Sequence, residues 1–295
     1  MKVLIKCKQY YKTILVTIAF ILLTLSIASS IYDIYEVSSS NPKICVPIIM
    51  YHQVKDNSFG KDVISPTEFE SDLQYLKDNK YNTITMTQLI DYVYNSTALP
   101  GNPIILTFDD GYLNTYKNVY PLLKKYDMKI VLSVVGKTVD DFSKVFDDNI
   151  NYASTTWNQI KEMSASGHVE IQNHSYNLHK IKNGRYGVYQ KNGEAFIDYE
   201  TVLAEDFMKL QEIVEEVTEK APNTFTYPYG KYNNNTEDII KKLGFKATLS
   251  CTYGVNLIDN NPETLYGLRR MCRSHRYPMA ELLKDGIETL KYRND

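Results

Sequence analysis

Ile104-Ile105-Leu106-Thr107-Phe108-Asp109-Asp110-Gly111 is the stretch on which the reading of this chain turns: an apolar run that ends in two adjacent carboxylates and a glycine. The run has the length and composition of a buried strand. Successive side chains of a strand face opposite ways, so both carboxylates reach one pocket only where the strand frays into a loop. Alone, the pair reads as a strand-ending Asp-Gly turn. A second stretch, His174-Ser175-Tyr176-Asn177-Leu178-His179, adds two imidazoles. One carboxylate and two imidazoles make three ligands for a borderline divalent cation, with positions left open for water and substrate. The other carboxylate is then free to act as a base, the minimum equipment for metal-assisted hydrolysis.

Working outward, apolar strand-like runs alternate with helical patterns. Val46 to Met50 reads as the first strand. Ser65-Pro66-Thr67-Glu68 combines an N-cap, a first-turn proline and a glutamate three residues after the cap, so a helix follows that buries Phe69, Leu73 and Leu76. Strands are expected at Pro103–Phe108, Lys129–Val135, His168–Ile171 and Thr224–Tyr227. Helices are expected at Tyr116–Tyr126, at 156–166 before Gly167, at Tyr199–Lys220 and at Glu237–Leu243 before Gly244. Such alternation predicts an α/β fold of parallel βαβ units closed into a barrel. The chemical motifs fall at the C-terminal strand ends, the rim where such barrels build active sites. The insertion from Gly184 to Phe196 predicts a hairpin turned at Asn192-Gly193, placed to overhang the cleft after the histidine pair.

With 295 residues, 43% of them hydrophobic, the chain supports one large domain with a substantial core. A net charge of −2 gives no electrostatic case for nucleic-acid binding, which usually demands a basic face, and no protein partner is evident. Twenty-five tyrosines against one tryptophan fit either aromatic platforms for sugar rings or compositional bias. At the N-terminus, Lys2, Lys6, Lys8 and Lys12 precede the apolar, uncharged run from Ile14 to Ile31. At about 1.5 Å per residue that run nearly covers a bilayer's hydrocarbon core. The expected organisation is a basic cytoplasmic tail (1–12), a transmembrane anchor or signal peptide (13–32), a linker (33–43) and an exported catalytic domain (44–295). Ala28-Ser29-Ser30 supplies the small residues of a cleavage site if the segment is a signal peptide, which would make the domain secreted. Cys7 then lies on the cytoplasmic side, and Cys45, Cys251 and Cys272, with no CxxC spacing among them, read either as unpaired buried thiols or as holding one bridge among the three.

Two further stretches complete a pattern: Phe225-Thr226-Tyr227-Pro228-Tyr229-Gly230, and upstream Val46-Pro47-Ile48-Ile49-Met50-Tyr51-His52. With the aspartate and histidine motifs they resemble the polysaccharide deacetylases, carbohydrate esterase family four. The upstream strand resembles that of a circularly permuted branch which includes extracellular poly-N-acetylglucosamine deacetylases. The resemblance spans residues 44 to 290 and implies a distorted (β/α) barrel. It implies Asp109 as general base, Asp110, His174 and His179 as metal ligands, and Zn²⁺, or another divalent ion such as Co²⁺, Ni²⁺ or Mn²⁺, as cofactor. In the permuted branch the first strand replaces the C-terminal one, which makes His52 the catalytic acid; His275, in Arg273-Ser274-His275-Arg276, is the rival if the order is unpermuted and is otherwise solvated.

Tyr229 is implied to line an acetyl pocket beside Pro228 and to lend its N–H to the oxyanion. Two departures stand out. The histidines are five apart rather than four, which matches the permuted branch and puts them on a loop. Tyr227 stands where much of the family has an arginine that pairs with the base. Arg270 resembles a downstream arginine of the permuted branch and is either that partner or an exposed basic turn. Ser175 is read as bonding backbone to orient its loop, and His168, beside Gly167, as structural. The implied reaction is metal-dependent N-deacetylation of N-acetylglucosamine in a cell-wall polysaccharide, with peptidoglycan favoured by the membrane tether. Deacetylation of a secreted poly-N-acetylglucosamine, O-acetyl xylan esterase activity and a non-catalytic glycan-binding module are the alternatives. A phosphoesterase lacks both a two-metal ligand count and a phosphate-cradling glycine loop.

Overall fold

The computed structural model describes residues 17–18, 21–26 and 43–292. The chain divides into two units, residues 1–42 and 43–295. In the first unit residues 17–18 and 21–26 are helical; the expected tail, most of the expected spanning segment and nearly all of the expected linker lie outside the described residues. Among the described residues no helix is long and apolar enough to cross a membrane.

The second unit is built on eight parallel strands: β1 (Ile48–Tyr51), β2 (Asn82–Thr83), β3 (Pro103–Asp110), β4 (Ile130–Val134), β5 (Val169–Asn173), β6 (Thr224–Thr226), β7 (Ala247–Leu249) and β8 (Met271–Cys272). Their order is β7-β6-β5-β4-β3-β1-β8, with β2 paired to the start of β3. The segment leading into β8 joins the two ends. Leu268 donates its N–H to Thr248 at 2.9 Å and accepts from Ser250 at 2.9 Å, and Arg270 donates to Thr252 at 2.9 Å. One residue on, Met271 pairs with Ile49 of β1. Residues 268–272 thus bridge β7 to β1 and close the distorted barrel that the alternation predicts.

The expected first strand is split by Pro47, which has no N–H to give a ladder. Ile44–Val46 pairs antiparallel with Asn256–Ile258, and only β1 enters the barrel. Helices α1 (Pro66–Asp78), α2 (Met86–Asn95), α3 (Tyr120–Tyr126), α4 (Gly136–Lys144), α5 (Trp157–Ala165), α6 (Phe196–Thr218), α7 (Asn234–Lys242) and α8 (Met279–Glu288) complete the unit. Ser65 and Glu68 form the expected capping box of α1. The helix expected at Tyr116–Tyr126 begins instead as a π-helical turn, Thr115–Val119. Pro121 is tolerated only in a first turn, and the α-helix accordingly starts at Tyr120.

Strand alternation sorts the core. Ile48, Ile105, Val131 and Leu249 pack with Met86, Leu89, Ile90 and Val93 of α2 towards the N-terminal strand ends. Ile49, Leu106, Phe108 and Leu132 face outward into the layer covered by α1 and α8. Towards the C-terminal ends the interior turns polar: Thr107, Asp109, Ser133, His174, Thr226 and Arg270 are all buried. Buried polar groups need partners, and these find them in one another.

Candidate active site

β3 runs two residues further than expected, through both aspartates. Asp109 shares the inward face with Thr107. Regular alternation would turn Asp110 outward, but its φ is +72°, a left-handed conformation that costs on the order of 1 kcal/mol for a non-glycine residue. The kink brings its Oδ1 to 3.6 Å from His174 Nε2 and 3.4 Å from His179 Nε2. Both carboxylates therefore serve one pocket, by strain at Asp110 rather than by fraying.

His174 follows β5 directly. Its Nδ1 lies 2.8 Å from the Thr226 carbonyl, which can only accept, so Nδ1 carries the hydrogen and Nε2 offers a lone pair. Burial, with His179 close by, pushes its pKa down to about 4, which keeps the ring neutral. The loop between the histidines is held by its backbone. Asn173 Oδ1 accepts from the Ser175 N–H at 2.9 Å, and Ser175 Oγ from the Leu178 N–H at 3.2 Å. The Asp206 carboxylate, on α6, accepts the Tyr176 and Asn177 N–H groups at 2.8 Å each. This explains a spacing of five and gives Ser175 its expected backbone role. Sequence reasoning missed Asn173 and Asp206; no local signal ties Asp206 to a loop so far upstream.

The three-residue set fits a cation. Asp110 Oδ1 is buried and has no hydrogen-bond partner, yet two imidazole nitrogens face it. Ligand atoms about 2.0–2.1 Å from a tetrahedral zinc lie roughly 3.3 Å apart, close to the two distances above.

Asp109 is engaged differently. Arg270 grips it in a fork, Nη1 to Oδ1 at 2.8 Å and Nη2 to Oδ2 at 2.8 Å. The guanidinium also donates to the Ser250 carbonyl at 2.8 Å and to Thr107 Oγ1 at 3.2 Å. Burial would raise the Asp109 carboxyl, but the Arg270 charge outweighs it and holds the group well below the usual carboxylate range. Of the two readings of Arg270, the ion pair holds and the exposed turn does not. Tyr227 takes no part: it is fully buried and stacked on Tyr232 with ring centroids 4.0 Å apart.

His52 sits just past β1, its Nδ1 buried without a hydrogen-bond partner, 3.7 Å from Asp62 Oδ1. His275 is not solvated as expected: it bonds Glu68 Oε2 at 2.9 Å and stacks on Phe59, because the capping box of α1 presents that carboxylate to it. His168 is structural, its Nδ1 3.0 Å from the Met128 carbonyl. The described cysteines are unpaired, but Cys251 is exposed and Cys45 and Cys272 are half-buried, which corrects the expectation of buried thiols.

Tyr229 lies in a short turn, Pro228–Gly230, at φ +59°. Its ring packs on His179 at 4.4 Å and on Tyr186 at 4.9 Å. Tyr186 belongs to the hairpin Ile181–Lys182 with Arg185–Tyr186, which turns at Asn183-Gly184. The expected turn at Asn192-Gly193 forms, closed by the Glu194 N–H donating to the Lys191 carbonyl at 3.2 Å, but no paired strands flank it. Gly187 lets the hairpin approach: a Cβ there would meet Pro228 and Tyr229 atoms at 3.2 Å. Beside Asp110 and His179 opens a cavity of about 150 Å³ lined also by Tyr112, Phe142, Tyr152 and Ser154. Tyr112 is another residue the sequence did not single out; burial and the neighbouring Asp110 push its hydroxyl up to about 12.

A parallel barrel with a carboxylate and two imidazoles converging at its C-terminal rim, beside a second carboxylate held ionised, defines a hydrolase of the deacetylase type. The chain belongs to the polysaccharide deacetylase family, whose family model matches residues 97–248; His52 and Arg270 lie on either side of that span. Among curated relatives, the poly-β-1,6-N-acetyl-D-glucosamine N-deacetylase of Escherichia coli K12 is 26% identical over 240 residues, 74% of this chain. This chain covers only 36% of that relative's length. The protein of the same name from Staphylococcus aureus MSSA476 is 25% identical, over 68% of this chain and 70% of its own. Among solved structures, a de-N-acetylase from Aggregatibacter actinomycetemcomitans aligns with a TM-score of 0.67 at 26% identity, covering 84% of this chain and 99% of its own. IcaB from Ammonifex degensii aligns with a TM-score of 0.65 at 27% identity, covering 78% and 92%.

Proposed function

We propose that this chain N-deacetylates N-acetylglucosamine residues of an exported polysaccharide, with Asp110, His174 and His179 holding a divalent cation. The observation that carries the reading is the buried, partnerless Asp110 Oδ1 facing two imidazole nitrogens. When bound, Zn²⁺ or a similar ion supplies Lewis-acid polarisation of the acetamide carbonyl and activation of a water. Asp109, kept ionised by Arg270, accepts the proton of the water that attacks the carbonyl carbon. The Tyr229 N–H donates to the oxyanion that develops. His52 gives a proton to the departing nitrogen as the C–N bond breaks, which releases acetate and leaves glucosamine. The Tyr186, Tyr229 and Tyr152 rings, all partly exposed around the site, offer flat apolar faces for sugar rings.

The anchor expectation favours peptidoglycan, whereas the names of the two curated relatives favour poly-β-1,6-N-acetylglucosamine; we take the latter as the substrate. We further propose that residues 13–32 tether the domain to the outer face of the cell membrane, on the support of the lysine-flanked apolar run. Acetate release by the full chain, measured in parallel on poly-β-1,6-N-acetylglucosamine, peptidoglycan and acetylxylan with and without a chelator, tests the proposal. Chelator-sensitive release from the first substrate is expected. Release from acetylxylan alone would overturn the amide reading, and release unaffected by complete metal removal would overturn the metal assignment.

A further inference from the structure

A second group of three donor atoms converges beside the reaction centre. His52 Nδ1, Asp62 Oδ1 and Cys272 Sγ lie within 4.8 Å of one another. Asp62 Oδ1 is 3.7 Å from His52 Nδ1 and 3.8 Å from Cys272 Sγ. Around a tetrahedral zinc, with bonds of about 2.0 Å to nitrogen or oxygen and 2.3 Å to sulfur, such atoms lie roughly 3.3–3.5 Å apart. Asp62 Oδ1 lies within a few tenths of an ångström of that spacing from each of the other two atoms.

The backbone fixes two of the three positions. β8 pairs in parallel with β1, with Cys272 opposite Met50, two residues before His52. Asp62 comes from the segment that enters the strand Val63–Ile64, which pairs with Gln53–Val54 immediately after His52. His52 Nδ1 is shielded from solvent and has no hydrogen-bond partner, the condition also seen at Asp110 Oδ1. Leaving such an atom unmatched is unfavourable. Asp62 is exposed, its side chain 54% accessible, so an ion has a route in from solvent. Imidazole, carboxylate and thiolate together suit a borderline ion such as Zn²⁺ better than a hard one.

We propose that His52, Asp62 and Cys272 form a second divalent-cation site, and that filling it inhibits deacetylation. On loading, the Cys272 S–H bond breaks, its proton passes to solvent and a sulfur–metal bond forms, with no change of oxidation state. A cation on Nδ1 occupies the lone pair that a proton needs to make the ring an imidazolium, so His52 no longer serves as an acid. The inhibition rests on the acid role proposed above; the binding does not.

Cobalt(II) is the probe, because a thiolate ligand gives it a near-ultraviolet charge-transfer band. The full chain is expected to take up two equivalents and develop that band. Cys272→Ser should bind one equivalent without the band, and His174→Ala one equivalent with it. Acetate release by the wild type should rise with the first equivalent and fall in excess, while Cys272→Ser should not fall. No band in the wild type, or a band that survives Cys272→Ser, overturns the site. Equal loss of rate in excess cobalt for both proteins overturns the inhibition. Two bound equivalents with the Cys272-dependent band, but no acetate release at any loading, would count against the deacetylase reading and support the second site.

Discussion

Arg270→Met is the perturbation whose outcome the structure constrains most tightly. The substitution keeps an unbranched side chain but leaves Asp109 buried without its charge partner. Removing one member of a buried pair destabilises by about 3–5 kcal/mol. Proton uptake sets the ceiling: neutralising a carboxyl with an unfolded pKa of about 3.9 takes about 4 kcal/mol at pH 7 and about 1.5 kcal/mol at pH 5, at 1.36 kcal/mol per unit. At 2–4 °C per kcal/mol for a domain of this size, the melting temperature should drop by about 8–17 °C at pH 7 and about 3–6 °C at pH 5. The sign follows from linkage. In the wild type the Asp109 carboxyl is depressed, so its stabilisation is present above about pH 4 and is lost only as pH falls further. Without Arg270 burial governs and the carboxyl rises above its unfolded value, so the penalty is felt above about pH 4 and relieved on acidification. The gap between variant and wild type should therefore narrow from pH 7 to pH 5, and the acid limb of the pH–rate profile should move upward. Thermal melts across that range and acetate release at each pH provide the assay. A gap independent of pH, with an unmoved acid limb, would falsify the claim that Arg270 keeps Asp109 ionised.

Four other substitutions separate the roles of the site. His174→Ala should bind one equivalent of cation fewer than the wild type by elemental analysis and lose acetate release with it; an undiminished metal content refutes the ligand set. Asp109→Asn keeps the shape but cannot accept the water's proton, so it should hold metal while losing about 10²–10⁴-fold in rate; wild-type turnover would sink the mechanism. His52→Ala should keep the cation at Asp110 and slow the amide far more than an activated aryl acetate, whose leaving group needs little protonation. His275→Ala should leave both reactions nearly unchanged, since its ring is committed to Glu68; the opposite pattern would restore the unpermuted order.

The parallel barrel was legible because its strands are apolar runs and α1 carries a complete capping box, both local signals. The helix α4 was not. It opens at Gly136 with no side-chain cap, and the glycine is there because a Cβ would meet Tyr176 and Leu210 side-chain atoms at 2.7 and 2.8 Å, a tertiary constraint. The hairpin shows the limit of turn chemistry. Lys182-Asn183-Gly184 and Lys191-Asn192-Gly193 are the same local signal, and only the first is flanked by segments that pair. At the second, Glu194 binds the Lys191 N–H and the Arg185 guanidinium, which folds the loop back on itself. Arg270 stayed undecided in the sequence because it meets Asp109 across 161 positions, a contact that exists only once residues 268–272 close the barrel.

The division of labour between two neighbouring carboxylates follows from hydrogen-bond accounting. Each carboxylate oxygen has about two acceptor positions. Arg270 takes one on each oxygen of Asp109, which leaves a position on each for a proton but surrounds the group with a positive charge that opposes a second cation. Asp110 makes no such pair; its Oδ1 is unclaimed and turned towards two imidazole nitrogens by a positive φ. A regular strand would have left Asp110 facing away from the pocket, and an Arg270 reaching Asp110 instead would have filled the ligand position with a guanidinium. The proposed roles therefore need both the backbone kink and the barrel-closing arginine: the first would create the ligand, the second would reserve the base, and neither is encoded within the Asp-Asp-Gly stretch itself.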